Sequence, residues 1–153
     1  MKLKGQTIGR PSSKPVVFTR GDTEFVFHVQ AVFDLEKFEE MCPEPKPKRS
    51  LKKGLMIDDA YKKAREDWFK LRATFVILQS LDATEDLEWE QVDRNDPSTW
   101  ANYEKELREA GLTTGELTYL IEQVNSVNSI TEKVMEEARD RFIASQEAEG
   151  LLQ

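Results

Sequence analysis

Few residues in this chain are of a kind that does chemistry, and their spacing speaks against most of it. There is one histidine, His28, and one cysteine, Cys42. A lone imidazole can titrate near neutrality or ligate a metal, but no second ligand stands near His28, which occupies a polar position in an alternating stretch. A lone thiol excludes an internal disulfide and any multi-cysteine zinc site. Carboxylates are abundant, and DATEDLEWEQVDRND, residues 82–96, holds seven of them with one arginine. A calcium loop sets its acids at alternating positions around a glycine turn; here there is no glycine and the spacing fails, so a solvated acidic loop is expected. Paired acids for glycoside hydrolysis are not excluded by spacing alone, but the acids of this short chain fall on faces expected to be exposed. There is no Gly-rich phosphate loop, no H-E-x-x-H and no nucleophile that one histidine could serve. The expectation is a protein that is not an enzyme, with no catalytic residues, no cofactor and no metal.

Two further motifs invite a binding role. PEPKPKRSLKKG, residues 43–54, packs three prolines and five basic residues together. Such a cluster can contact phosphate, yet interleaved prolines without aromatics favour an extended, solvated linker. Arg20-Gly21-Asp22 spells a cell-adhesion tripeptide, but it falls where a hairpin needs its turn.

The balance of charge is uneven. The net charge is −7 over 153 residues. Residues 1–81 carry 16 Lys/Arg against 11 Asp/Glu, a balance of +5, while residues 82–153 carry 6 against 18, a balance of −12. An acidic half is a poor nucleic-acid surface; it suits a basic or apolar protein partner, or head-to-tail self-association. With 33% charged residues and no long apolar run, no membrane span is expected. The first residues lack the apolar core of a signal peptide, so a cytoplasmic location is expected.

Any such surface must be held by the elements, and these read as one domain over 1–153. The fold class is α+β, mainly α: an N-terminal β-hairpin, then a long central helix and a C-terminal trio of short helices. Residues 1–15 form an extended arm. Over 16–33, VVFTR and EFVFHVQAV have the period of two of strands, joined at Gly21-Asp22-Thr23 into an antiparallel hairpin whose exposed edge could accept another strand. A short helix around Asp34 to Phe38 ends at Cys42-Pro43. The linker 43–54 leads to a helical region, 56–153. In the central helix, Met56 to Leu81, Asp58 is the N-cap, and Tyr61, Ala64, Trp68, Leu71, Phe75 and Leu78 mark one face. Lys62-Glu66 and Lys63-Asp67 pair outside.

Asp96-Pro97 opens the trio, as N-cap and first helical residue. Trp100, Tyr103, Leu107 and Ala110 form the first stripe, Glu104-Arg108 pair outside it, and Gly111 ends the helix. Thr113 and Glu116 have capping-box spacing, and Leu117, Leu120, Ile121, Val124 and Val127 form the second stripe. Ser129 and Glu132 repeat that spacing before Ile130, Val134, Ala138 and Phe142.

The stretch from Asp96 to Phe142 resembles the C-terminal region of tail assembly chaperones from long-tailed bacteriophages. The resemblance rests on an EL-x-x-AG-L turn at Glu106 to Leu112, the helix from Leu117 to Val127, an Asn-x-hydrophobic hinge at Asn128 to Ile130, and E-A-R-x-x-F at Glu137 to Phe142. It implies a non-enzymatic protein of the host cytoplasm, absent from the mature virion, that keeps the tape-measure protein soluble, helps recruit tail-tube subunits and self-associates. The mechanism would be burial of client helices in apolar grooves, with Trp68, Phe75, Trp100, Tyr103, Leu120 and Val124 as candidate partner-binding residues. Two other readings stand beside it: a structural adaptor joined through its hairpin edge, and a small nucleic-acid-binding regulator using the basic segment.

Overall fold

Gly21 and Asp22 reverse the chain at the tip of an antiparallel hairpin whose strands are β1 (Lys14–Arg20) and β2 (Thr23–Val29), in the register Arg20↔Thr23 to Lys14↔Val29. Gly21 has φ +60° while Asp22 stays negative, the pattern of a two-residue turn that needs glycine at its first central position. Val16 and Val29 are buried, whereas Val17 and Val26 face solvent.

The computed structural model describes residues 1–129 and 132–152, with side chains described to 129 and from 135 to 150. Helix α1 (Glu36–Met41) follows the hairpin, then a second small hairpin of β3 (Lys48–Ser50) and β4 (Gly54–Met56), then the central helix α2 (Asp59–Leu81). A 3-10 turn over Pro97–Asn102 runs into α3 (Tyr103–Glu109), followed by α4 (Thr114–Asn128) and α5 (Glu132–Leu152). The fold is α+β and mainly helical, in the order expected.

Local capping chemistry fixes several helix starts. The Asp58 carboxylate accepts from the Tyr61 N–H at 2.8 Å, and that of Asp96 accepts from the Ser98 N–H at 3.1 Å with Pro97 behind it. Thr113 and Glu116 form a reciprocal box: the Thr113 N–H donates to Glu116 at 3.0 Å, and the Glu116 N–H to the Thr113 hydroxyl at 3.1 Å. Such a cap satisfies two donors that the helix itself leaves orphaned. Gly111, at φ +113°, turns the chain between α3 and α4.

The core is aromatic on one side and aliphatic on the other. Phe38 of α1 packs on Trp68 and Phe75 of α2 with ring centroids 5.5 and 5.4 Å apart, and Phe75 on Trp100 at 5.5 Å. These separations suit tilted aromatic pairs. Leu78, Leu81, Leu120, Val29 and Val124 fill the other side, all essentially without exposure.

Several sequence expectations need correction. The arm is not wholly extended: Lys4 and Gly5, both at positive φ, close a tight turn in which Leu3 and Gln6 exchange backbone hydrogen bonds of 2.8 and 3.1 Å. The proline-rich segment is not a plain linker, because its second half folds into the β3–β4 hairpin, with Gly54 at φ +69°. Its prolines precede the strands, so no ladder donor is lost. The acidic stretch 82–96 is not a loose loop. Val92 is buried, Leu87 and Trp89 pack on the core, and the Glu90 and Val92 N–H groups donate to the two oxygens of Glu106 at 2.5 and 3.1 Å. Glu66 pairs with Lys70 and Glu109 with Lys105, in place of the expected Lys62-Glu66 and Glu104-Arg108, while Lys63-Asp67 forms at 3.7 Å. Ala64 and Ala110 are exposed.

Candidate functional site

Five of the six candidate partner-binding residues lie inside the molecule. Phe75, Trp100, Leu120 and Val124 are at most 1% exposed and Tyr103 is 7% exposed. Trp68 is half-buried, its indole N–H donating to the Cys42 carbonyl at 2.8 Å. The Trp100 indole donates to the Asp93 carbonyl at 3.0 Å, so both tryptophans are fixed by polar as well as apolar contacts. The Tyr103 phenol is pushed above its ordinary range, chiefly by burial and further by the neighbouring Glu104 carboxylate. Phe75 and Trp100 pack on each other, and the five buried residues belong to one core cluster with Trp68 packed against it. A stripe of apolar residues at helical spacing marks a face to be covered, without saying by what.

The groups with chemical potential are also built into the fold. Cys42 is buried, and burial pushes its thiol up, away from the reactive thiolate. His28 is half-buried rather than on an open outer face, because Thr84 packs across its backbone: the His28 N–H donates to the Thr84 hydroxyl at 2.9 Å, and that hydroxyl to the His28 carbonyl at 3.1 Å. Arg94 lies over the Phe75 ring at 5.5 Å and donates to Asp82 at 2.6 Å and Gln79 at 2.8 Å. Among the described residues, no group of three or more His, Cys, Asp or Glu is placed to hold a metal ion. No described helix is long and apolar enough to cross a membrane.

Two polar junctions, absent from the sequence reading, hold the helices to the hairpin. Arg20, at the end of β1, makes a two-pronged ion pair with Glu116 and donates to the Gly111 carbonyl at 2.8 Å. Its guanidinium and the Thr113 cap lower the Glu116 carboxyl to about 2. Asn128, at the end of α4, accepts from the Val32 N–H and donates to the Ser80 hydroxyl and the Val124 carbonyl, each at 2.8 Å. Ser80 is the one fully buried polar residue among those described. Asn128, the first residue of the expected hinge, is thus a three-way latch, while Ile130 of that hinge lies outside the described residues. The only sequence signal for it was an amide at a helix end.

The surfaces left open are elsewhere. On α5 every described side chain, 135 to 150, is exposed. Met135, Phe142 and Ile143 are 59%, 60% and 47% exposed. Ala138 and Phe142, expected inside, are therefore outside; Ile130, Val134 and the Glu132 side chain of the proposed cap lie outside what the structure describes. The β3–β4 hairpin, from Leu51 onward, and the first residues of α2 are likewise exposed, with Leu55, Met56, Ile57 and Phe69 facing solvent. A cleft of about 290 Å³ opens beside Trp89. The hairpin edge expected to accept a strand is obstructed: Thr84 occupies the His28 backbone, and the Gln30 N–H donates to the Ser80 carbonyl at 3.1 Å. Opposite His28 stands Pro15, which has no N–H to offer.

No family model, curated protein or solved structure matches the chain.

Proposed function

We propose that the protein is a non-enzymatic assembly chaperone of the phage-tail type, which holds the apolar helices of a tape-measure protein in solution through α5 and not through the buried stripes. The observation that carries this reading is the helix α5, which leaves Met135, Phe142 and Ile143 in solvent. An isolated helix gains little from its own hydrogen bonds and is stabilised chiefly by packing an apolar face. A client helix laid along that face would supply the missing packing, in the helix-in-groove manner. The resemblance of residues 96–142 to tail assembly chaperones supports the nature of the client, with tail-tube subunits as further partners, and a host-cytoplasmic role before the virion is complete.

Co-expression with the tape-measure protein of the same phage tests the proposal. The expected result is a soluble complex that co-elutes on a sizing column, and its loss in the double variant Phe142→Asp/Ile143→Asp. Unchanged client solubility with and without this protein would count against it. The adaptor reading loses its strand-addition route at His28 and Pro15, and recovery of the protein from purified particles would restore it. The nucleic-acid reading retains the exposed cations Lys46, Lys48, Arg49, Lys52 and Lys53; salt-dependent DNA retardation abolished by neutralising them would favour it.

A further inference from the structure

The inner face of the β1–β2 hairpin is covered at one end and open at the other. Directly opposed residues of an antiparallel pair share a face, so Val16 and Phe27 lie on the same side of the hairpin as Phe18 and Phe25. Val16 is buried, Phe18 and Phe27 are half-buried, and Phe25 is 52% exposed. Phe18 meets Phe27 edge-on with ring centroids 6.0 Å apart, and meets Tyr119 of α4 at 6.4 Å. A partly uncovered aromatic strip thus leads to the cleft beside Trp89, whose wall includes Phe27. There the apolar surface acquires charge. Phe27, Leu87, Trp89 and Leu107 line the cleft, Glu88, Glu90, Glu106 and Glu109 border it, and none of its lining residues is cationic. Glu106 spends both carboxylate oxygens on the Glu90 and Val92 N–H groups, and Glu109 meets Lys105 at 3.7 Å. Glu88 and Glu90, exposed on either side of Trp89 in the chain, have no ion-pair partner among the described residues.

We infer that this cleft docks a basic, apolar segment of another protein. An arginine of that segment enters against Trp89 between Glu88 and Glu90, and a neighbouring apolar residue covers Phe25, about 7 Å along β2 from Phe27. A guanidinium suits the site on two counts: its fork of donors matches a carboxylate, and its plane stacks on an aromatic ring. A cation over an indole gains most where water is partly excluded, as in a cleft with an apolar wall. The volume of about 290 Å³ falls just below the roughly 300–1,000 Å³ of small-molecule sites, a size for one or two side chains of a partner. Complementary charge makes the docking dependent on salt. The inference does not rest on the chaperone reading, which places its client on α5.

Fluorescence anisotropy of the full chain with a labelled peptide of alternating leucine and arginine tests this. The control peptide carries citrulline, an uncharged isostere, in place of each arginine. The arginine peptide should bind at low salt and be released at high salt, and the citrulline peptide should bind at least roughly tenfold more weakly. Glu88→Gln/Glu90→Gln changes two exposed side chains. It should weaken the arginine peptide roughly tenfold and reduce its salt dependence, with the unfolding midpoint unmoved. Phe25→Ser, also at an exposed position, should weaken both peptides alike. Trp89→Leu, which keeps an apolar group against the core, should weaken the arginine peptide several-fold. Absence of binding at low salt, or an unchanged affinity in the glutamine variant, would overturn the inference. Equal binding of the citrulline peptide would assign the cleft to a purely apolar partner and overturn it too. No tape-measure protein enters this experiment, so its outcome is separate from that of the chaperone test.

Discussion

Helices α4 and α5 make an instructive pair. Both follow a Ser/Thr-x-x-Glu spacing, and both carry apolar residues at intervals of three and four. Yet α4 buries Leu117, Leu120 and Val124, while α5 leaves Met135, Ala138 and Phe142 exposed. The difference lies in what meets them. The N-terminus of α4 is pinned by Arg20 on Glu116, and its C-terminus by Asn128 on Val32 and Ser80. Once both ends are held against the hairpin and α2, the stripe between them has to face the core. A periodic stripe states that a helix wants a partner; long-range polar contacts decide whether the same chain supplies it.

Five measurements can break or sharpen that contrast. Leu120→Ala should destabilise by about 2–5 kcal/mol, the range for truncating a fully buried leucine, read as a shift in the urea midpoint. A loss within about 0.5 kcal/mol, as for a surface site, would mean α4 is no better anchored than α5. Asn128→Ala should cost about 1–3 kcal/mol, because it leaves the Val32 N–H and the buried Ser80 hydroxyl without their partner.

Thr113→Ala should cost roughly 1 kcal/mol by removing a cap; an unchanged midpoint would contradict the box. The same end of α4 should respond to acid. The Glu116 carboxyl is held at about 2, below the roughly 4.3 of an unfolded glutamate. Its contribution is therefore complete above about pH 4 and is lost as the pH falls through about 2. Glu116→Gln should flatten the stability profile in that window. The smallest effect belongs to α5: Phe142→Ser should shift the midpoint by no more than about 0.5 kcal/mol, and a large shift would show that α5 packs on the domain after all.

What was legible in the sequence was local. Asp58, Asp96 and the Thr113–Glu116 box act within a turn of their own position, and Gly21 within its own hairpin, so residue type and spacing suffice. The second hairpin was hidden because prolines and lysines dominate its composition, while Gly54, which makes its turn possible, is one residue among twelve. The docking of 82–96 depends on Glu106 accepting two backbone donors from a distant loop, and no local pattern encodes that. For the candidate site, the stripes were found and their direction was not: Phe75, Trp100, Leu120 and Val124 read equally well as core or as groove until the helices are assembled.

The Asn128 latch also bears on the order in which the molecule can be completed during synthesis. Val32 stands 96 positions ahead of the amide that accepts its N–H. At the roughly 5–20 residues per second of translation, the hairpin waits about 5–20 s for that partner. For the second half of that interval Ser80, made 48 positions before Asn128, lacks its partner as well, and α4, which supplies Leu120 and Val124 to the core, is completed only at its end. The nascent chain therefore exposes Val29 and the apolar end of α2 for seconds before the core can close, an interval during which it is itself open to capture by a folding factor.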